Sequence, residues 1–174
     1  MREVLHLARR FFGSLSPRPI DPADEAWVLD LLVAGERTLW HRMTLADRKH
    51  AAGVARAVDA ALGGADRPVV AAAALHDVGK TVSGFGTVAR VVATVLAAVV
   101  GRRRLVERGL GRPPQSTARR LSDYLRHDRL GAELLEAAGS DPLTSAWAAE
   151  HHRPSATWTV PADIGAALCA ADDD

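Results

Sequence analysis

Val, Leu and Ala recur along the chain at spacings of three and four, not in alternation, and that period predicts helices with little room for strands. The pattern reads as an all-α, single-domain helical bundle. A short basic helix at the N-terminus leads into residues 13–22, whose three prolines predict a loop. Asp21 or Asp24 then caps a helix carrying Trp27, Leu31 and Ala34, and residues 1–43 are expected to pack as an N-terminal segment on a main domain spanning 44–174. Thr44 opens a capping-box-like start, and its helix, with His50 on the apolar stripe, runs to the stop at Gly63-Gly64. Asp66 with Pro68 just inside starts another through Val69, Ala72 and Ala73 to His76, ended by Gly79.

The apolar run from Val88 to Val100 reads as a buried helix; it is interrupted by Arg90 and is shorter than the roughly 20 residues a membrane span needs. Residues 101–116, rich in Arg, Gly and Pro, read as a mobile basic connection. Helix resumes at Ser116, with Leu130, Leu134, Leu135 and Ala138 forming one face before Gly139. Asp141-Pro142 is an N-cap followed by proline at the first helical position; the helix it opens carries Trp147, His151 and His152 and stops near Pro154. Pro161 or Asp163 begins the last helix, where Ile164, Leu168, Ala171 and Asp172 share a side.

Composition narrows the function classes. With 22 Lys+Arg against 21 Asp+Glu the net charge is +1, too little for affinity to a nucleic-acid polymer to follow from field strength, so none is expected. One cysteine, Cys169, excludes an internal disulfide and a thiolate-only zinc site, and reads as a small buried apolar residue. The first residues lack the apolar stretch of a secretory signal, which predicts a cytoplasmic protein. Trp27, Trp40, Trp147 and Trp158 read as core or rim residues.

Seven histidines are present, and five of them, His50, His76, His127, His151 and His152, fall on or beside inward stripes, while His6 and His41 do not. Burying imidazoles with carboxylates costs a few kcal/mol for each group left without a partner, and one cation satisfies several at once. Imidazole nitrogen with carboxylate oxygen and no thiolate suits Fe, Mn, Zn, Ni or Co and disfavours Ca. Asp172 is preferred over Asp173 and Asp174 because it continues the Ile164, Leu168 stripe.

His50, then His76-Asp77-Val78-Gly79-Lys80, then Asp172 resembles the HD-domain superfamily of metal-dependent phosphohydrolases, whose motif is H…HD…D, over residues 44–172. The resemblance implies a helical bundle of the HD-domain type in which His50, His76, Asp77 and Asp172 bind one divalent transition metal ion. His127, His151 and His152 resemble the extra ligands of the dinuclear branch, where Asp77 bridges two ions. The paired histidines are followed by Arg153-Pro154-Ser155 in place of the Gly-Tyr-Pro element of the cyclic-dinucleotide phosphodiesterases, and Ala46 stands where those enzymes often carry glutamate. Neither that activity nor a third metal is implied.

On this reading the chain cleaves a phosphoester or phosphoanhydride of a small phosphorylated compound, plausibly a nucleotide. Asp77 holds metal and orients the attacking water, and Lys80, one of two lysines in the chain, meets the substrate phosphate with Arg153 beside it. Arg102, Arg103, Arg104, Arg108 and Arg112 add phosphate contacts if their connection folds over the mouth. Two alternatives use the same ligands: a dinuclear-iron oxygenase of HD type, and a nucleotide-binding signalling module without turnover.

Overall fold

The computed structural model describes residues 19–173, and among them the chain is helical with no strand. The basic N-terminal helix, most of the proline-rich loop, His6 and Asp174 lie outside the described residues. The helices are α1 (Pro22–Leu31), α2 (Ala34–Arg42), α3 (Leu45–Leu62), α4 (Arg67–Leu75), α5 (Lys80–Ser83), α6 (Thr87–Val100), α7 (Arg102–Gly109), α8 (Thr117–Leu125), α9 (His127–Ala137), α10 (Pro142–Glu150) and α11 (Ala162–Asp173).

Their starts follow local chemistry. Asp21, Thr44, Ser116 and Asp141 each accept a backbone N–H of the first turn at α1, α3, α8 and α10, and proline stands in the first turn of α1 and α10, where a missing donor costs nothing. Asp21, not Asp24, makes the first of these caps. Leu32 and Val33 leave the helical conformation, so the sequence-predicted helix through Ala34 is two helices. At the α2 start a buried Glu36 accepts from the Val33 N–H at 2.9 Å and from Arg67 Nη1 at 3.2 Å.

The core is built around α4. Every residue from Val69 to Leu75 is buried, and its alanines let α3 and α10 approach closely on either side. Trp147, Leu135, Leu168, Val58 and Val54 close over it, and Val28, Leu32, Leu39, Trp40 and Met43 bring α1 and α2 into the same cluster. Trp40 and Trp147 are buried, and Trp27 and Trp158 lie at the edge. Cys169 is only half-buried, with its sulfur 3.8 Å from an Asp173 carboxylate oxygen, because it sits on the flank of α11 and not under it.

Two stretches differ from the sequence reading. The Val88–Val100 segment is helix α6, but only Ala93 is buried; Val88 is 66% and Val99 79% exposed, and Val91, Val92, Val95 and Leu96 also face outward. Apolar composition reports what a helix would tolerate inside, not that neighbouring helices reach it. The basic connection is no loop over its first half: Arg102–Gly109 is α7, tied down by Leu105 and packed on α8 so closely that a β-carbon on Gly109 would lie 2.3 Å from the Ala118 carbonyl oxygen. Arg102 pairs with Asp128 in the first turn of α9, and Arg103 with Glu107 within α7. Among the described residues no single helix is long and apolar enough to cross a membrane.

Candidate metal centre

Four helix ends converge on Asp77. After Leu75, α4 tightens into i to i−3 hydrogen bonds donated by Val78, Lys80, Thr81 and Val82, and this turn presents His76 and Asp77 side by side. His127 is the first residue of α9, set off from α8 by a break at Arg126. His151 and His152 follow the last residue of α10. The α9–α10 hairpin turns at Gly139, φ +76°, so the start of α9 and the end of α10 lie on the same side of the bundle. His127 Nε2 is 3.2 Å from His152 Nε2 as a result. α11 runs along α3 and brings Asp172 to His50, Oδ1 to Nε2 at 2.9 Å.

One device aims three of the rings. His76 Nδ1 donates to the Ala73 carbonyl at 2.8 Å, His127 Nδ1 to Tyr124 at 2.8 Å and His151 Nδ1 to Ala148 at 2.9 Å. Each acceptor lies three residues back, at a helix end where carbonyls lack intrahelical partners. With Nδ1 so occupied, Nε2 of each ring points inward as a ligand atom.

The inward atoms form two groups that share a border: Asp77, His127, His151 and His152 in one, His50, His76 and Asp172 in the other. Asp77 Oδ1 lies 3.6 Å from His127 Nε2 and 3.7 Å from His151 Nε2. Its Oδ2 faces the other way, 3.5 Å from His76 Nε2, which is itself 3.4 Å from Asp172 Oδ1. Atoms bound to one cation at about 2.0–2.2 Å stand roughly 3.0–3.6 Å apart in tetrahedral or octahedral geometry, so these separations suit ligands around a metal better than hydrogen-bonded partners. The chemistry of the donors agrees: His76 Nε2, His151 Nε2 and Asp77 Oδ1 are buried and make no hydrogen bond. Among the described residues their only polar contacts are ion pairs at 3.4–3.7 Å, too long for hydrogen bonds, which a cation placed among them would replace with direct ligand bonds. The residues present fit a divalent metal.

Charge is distributed to the same end. Burial would raise the Asp77 carboxyl, but the Lys80 ammonium, which bonds Oδ2, and the His76 ring hold it well below the carboxylate range. Burial would lower His76, yet the carboxylates of Asp77 and Asp172 outweigh it and push the ring up to about 10. His127 is driven down to about 4, chiefly by burial, with Lys80 and His151 adding to the effect. His152 is lowered by burial of its inner face and by His151 and His127, while its outer edge is open to solvent.

The structure therefore brings all seven sequence-predicted ligand residues into two adjoining groups. His50 is not inward as its stripe suggested: its side chain is 39% exposed and meets Asp172 from the outer side. Lys80 lies on Asp77 and not out toward solvent, and Arg153 is exposed beside His152. His41 is exposed and takes no part. Sequence reasoning missed Gly79 and Gly131, whose facing backbones let α9 reach Asp77, and Tyr124, whose ring and carbonyl both meet His127. Only the small size of the two glycines could have signalled the first.

Among known proteins, the family model described as Cas3, HD domain, matches residues 27–166. No curated protein and no solved structure matches the chain. The matched stretch runs from α1 into α11 and takes in all five clustered histidines and Asp77, with Asp172 just beyond its end. An all-helical domain whose inward nitrogen and oxygen atoms call for a cation, matched over most of its length, thus belongs to the Cas3 HD-domain family, a family of metal-dependent hydrolase-type domains.

Proposed function

We propose that this chain hydrolyses phosphoesters with two divalent transition metal ions, one on each side of Asp77. The observation that supports this most is the set of buried, unpartnered atoms of His76, Asp77 and His151 converging on one space. His50, His76, Asp77 and Asp172 would hold one ion, and Asp77, His127, His151 and His152 the other. When bound, such ions bring the pKa of water down toward about 7 and offset charge on phosphoryl oxygens. Fe, Mn, Zn, Ni and Co all suit this donor set.

The protein's own groups divide the remaining work. Asp77 is kept ionised by Lys80 and His76, so its oxygens are available as ligands and as hydrogen-bond acceptors that orient a water. The three Nδ1 bonds hold their rings against rotation, so no reorganisation is needed as substrate enters. Lys80, one turn past Asp77 and partly exposed, would be within reach of a phosphate oxygen if metal ions took its place on Asp77. Arg153 lies on the open side to take a second oxygen.

The substrate favoured by the near-neutral charge is a small phosphorylated compound, a nucleotide among them. A second reading, a nucleic-acid strand, is favoured by the family match, since Cas3 HD domains are typically nucleases. One panel tests both: protein loaded with Mn, Fe, Co, Ni or Zn, assayed against nucleoside mono-, di- and cyclic phosphates, an aryl phosphodiester and single-stranded oligonucleotides. Turnover of nucleotides alone supports the first, and strand cleavage the second. Loaded protein inert on every phosphoester overturns the hydrolase reading, and oxygen consumption in its place favours the dinuclear-iron oxygenase.

A further inference from the structure

The structure assigns Tyr124 as the positioning residue for the His127 imidazole, through a ring stack that is itself tethered to α6. The inference rests on His127 being a ligand of the second ion. Three contacts carry it. The Tyr124 ring lies nearly parallel to that of His127, centroids 5.7 Å apart and planes 22° from coplanar. Its carbonyl accepts the His127 Nδ1–H at 2.8 Å. Its hydroxyl lies 3.3 Å from Thr94 Oγ1.

The direction of that last bond follows from its neighbours. The Thr94 hydroxyl proton is committed to the Arg90 carbonyl at 2.9 Å, so Tyr124 donates and Thr94 accepts. The ring is thus held at both ends, by its backbone in α8 and by its hydroxyl on α6. Phe85 packs on it at 6.3 Å between centroids. α6 is fixed in turn by Arg90, which donates to the Phe85 carbonyl and pairs with Asp47 Oδ1 at 2.6 Å, one turn before His50 on α3.

The carbonyl bond fixes which nitrogen of His127 is free but leaves the ring able to tilt about it. The offset stack on Tyr124 opposes that tilt, because tilting would open the contact between the two rings. A ligand so restrained loses less entropy on binding, and outer partners of metal-bound histidines commonly change affinity by about 10- to 100-fold.

The test is a Co(II) titration of the metal-free full chain, followed by visible absorption and by calorimetry. Wild type is expected to take two equivalents, and His127→Ala one. Tyr124→Leu is expected to bind the first equivalent as wild type does and the second about tenfold or more weakly, with an altered second-site spectrum. Tyr124→Phe, which keeps the ring and loses only the tether, is expected to recover most of that loss. A second equivalent as tight in Tyr124→Leu as in wild type overturns the assignment, while a wild type that takes fewer than two removes the two-metal reading and the assignment with it. Circular dichroism and the first equivalent monitor the fold. Should Tyr124→Leu not fold, Tyr124→Met decides in its place: a second equivalent weakened about tenfold or more supports the stack, and one as tight as in wild type overturns it.

Discussion

Gly79 and Gly131 face each other without side chains between them, and the closeness this permits is what sets His127 beside Asp77. A β-carbon on Gly79 would fall 1.9 Å from the His127 carbonyl oxygen and 2.6 Å from the Gly131 nitrogen, both backbone atoms that cannot swing aside. Gly79 has φ −62°, so glycine is required there for space and not for a left-handed turn.

Gly79→Ala must therefore push α9 off the turn that carries Asp77. The expected cost is about 2–3 kcal/mol, in the range of overpacked cores, together with loss of the second metal equivalent. Thermal denaturation and metal analysis of the same preparation check both. A variant with normal melting and two equivalents would refute the close-approach argument.

His76→Ala removes the nitrogen that faces both Asp77 and Asp172, and turnover is expected to vanish. His127→Ala removes a ligand atom from one group only, so metal content is expected to fall from two ions toward one with the helical content unchanged. Elemental analysis after dialysis, read beside circular dichroism, distinguishes the two variants.

Protons compete with metal at this centre. The His76 ring, held near 10 against 6.5, keeps its proton at neutral pH in the metal-free protein, so each ion bound there displaces one. Metal affinity is expected to rise about tenfold per pH unit toward 10. The raised pKa also stabilises the metal-free fold fully below 6.5, a contribution lost as pH climbs to about 10. His127 has the opposite sign. Held near 4, it stays neutral in the fold while the unfolded chain takes a proton, so stability is lost as pH falls from 6.5 toward 4. For these two groups the metal-free melting temperature should peak near 6.5, which a pH series of thermal scans measures.

The outward face of α6 gives a contrasting expectation. Val92→Lys and Val95→Lys lie where solvent already reaches, so each is expected to change stability by no more than about 0.5 kcal/mol. Chemical denaturation checks this. A loss of several kcal/mol would return α6 to the core.

Much of the centre was legible because its residues are adjacent or regularly spaced. His76-Asp77 on one turn, His127 and His151 at opposite ends of two similar helices, and Asp172 on an apolar stripe all follow from helix geometry. Caps at Thr44, Ser116 and Asp141 were legible for the same local reason. What failed was non-local. Nothing within Val88–Val100 states that neighbouring helices leave it uncovered, and in 101–116 the glycines and prolines suggest a loop where the Arg103–Glu107 pair and buried Leu105 favour a helix.

The carbonyl anchors of His76, His127 and His151 each span three residues, and that shortness bears on how the protein assembles. No long loop has to close before a ring is aimed; ending a helix is enough, an event of the microsecond scale at most. Only the docking of helix ends remains as the slow, non-local part of making the centre, and an arriving ion would meet nitrogens already turned toward it. The ion is then left to lock helices together, with little need to shape its own ligands.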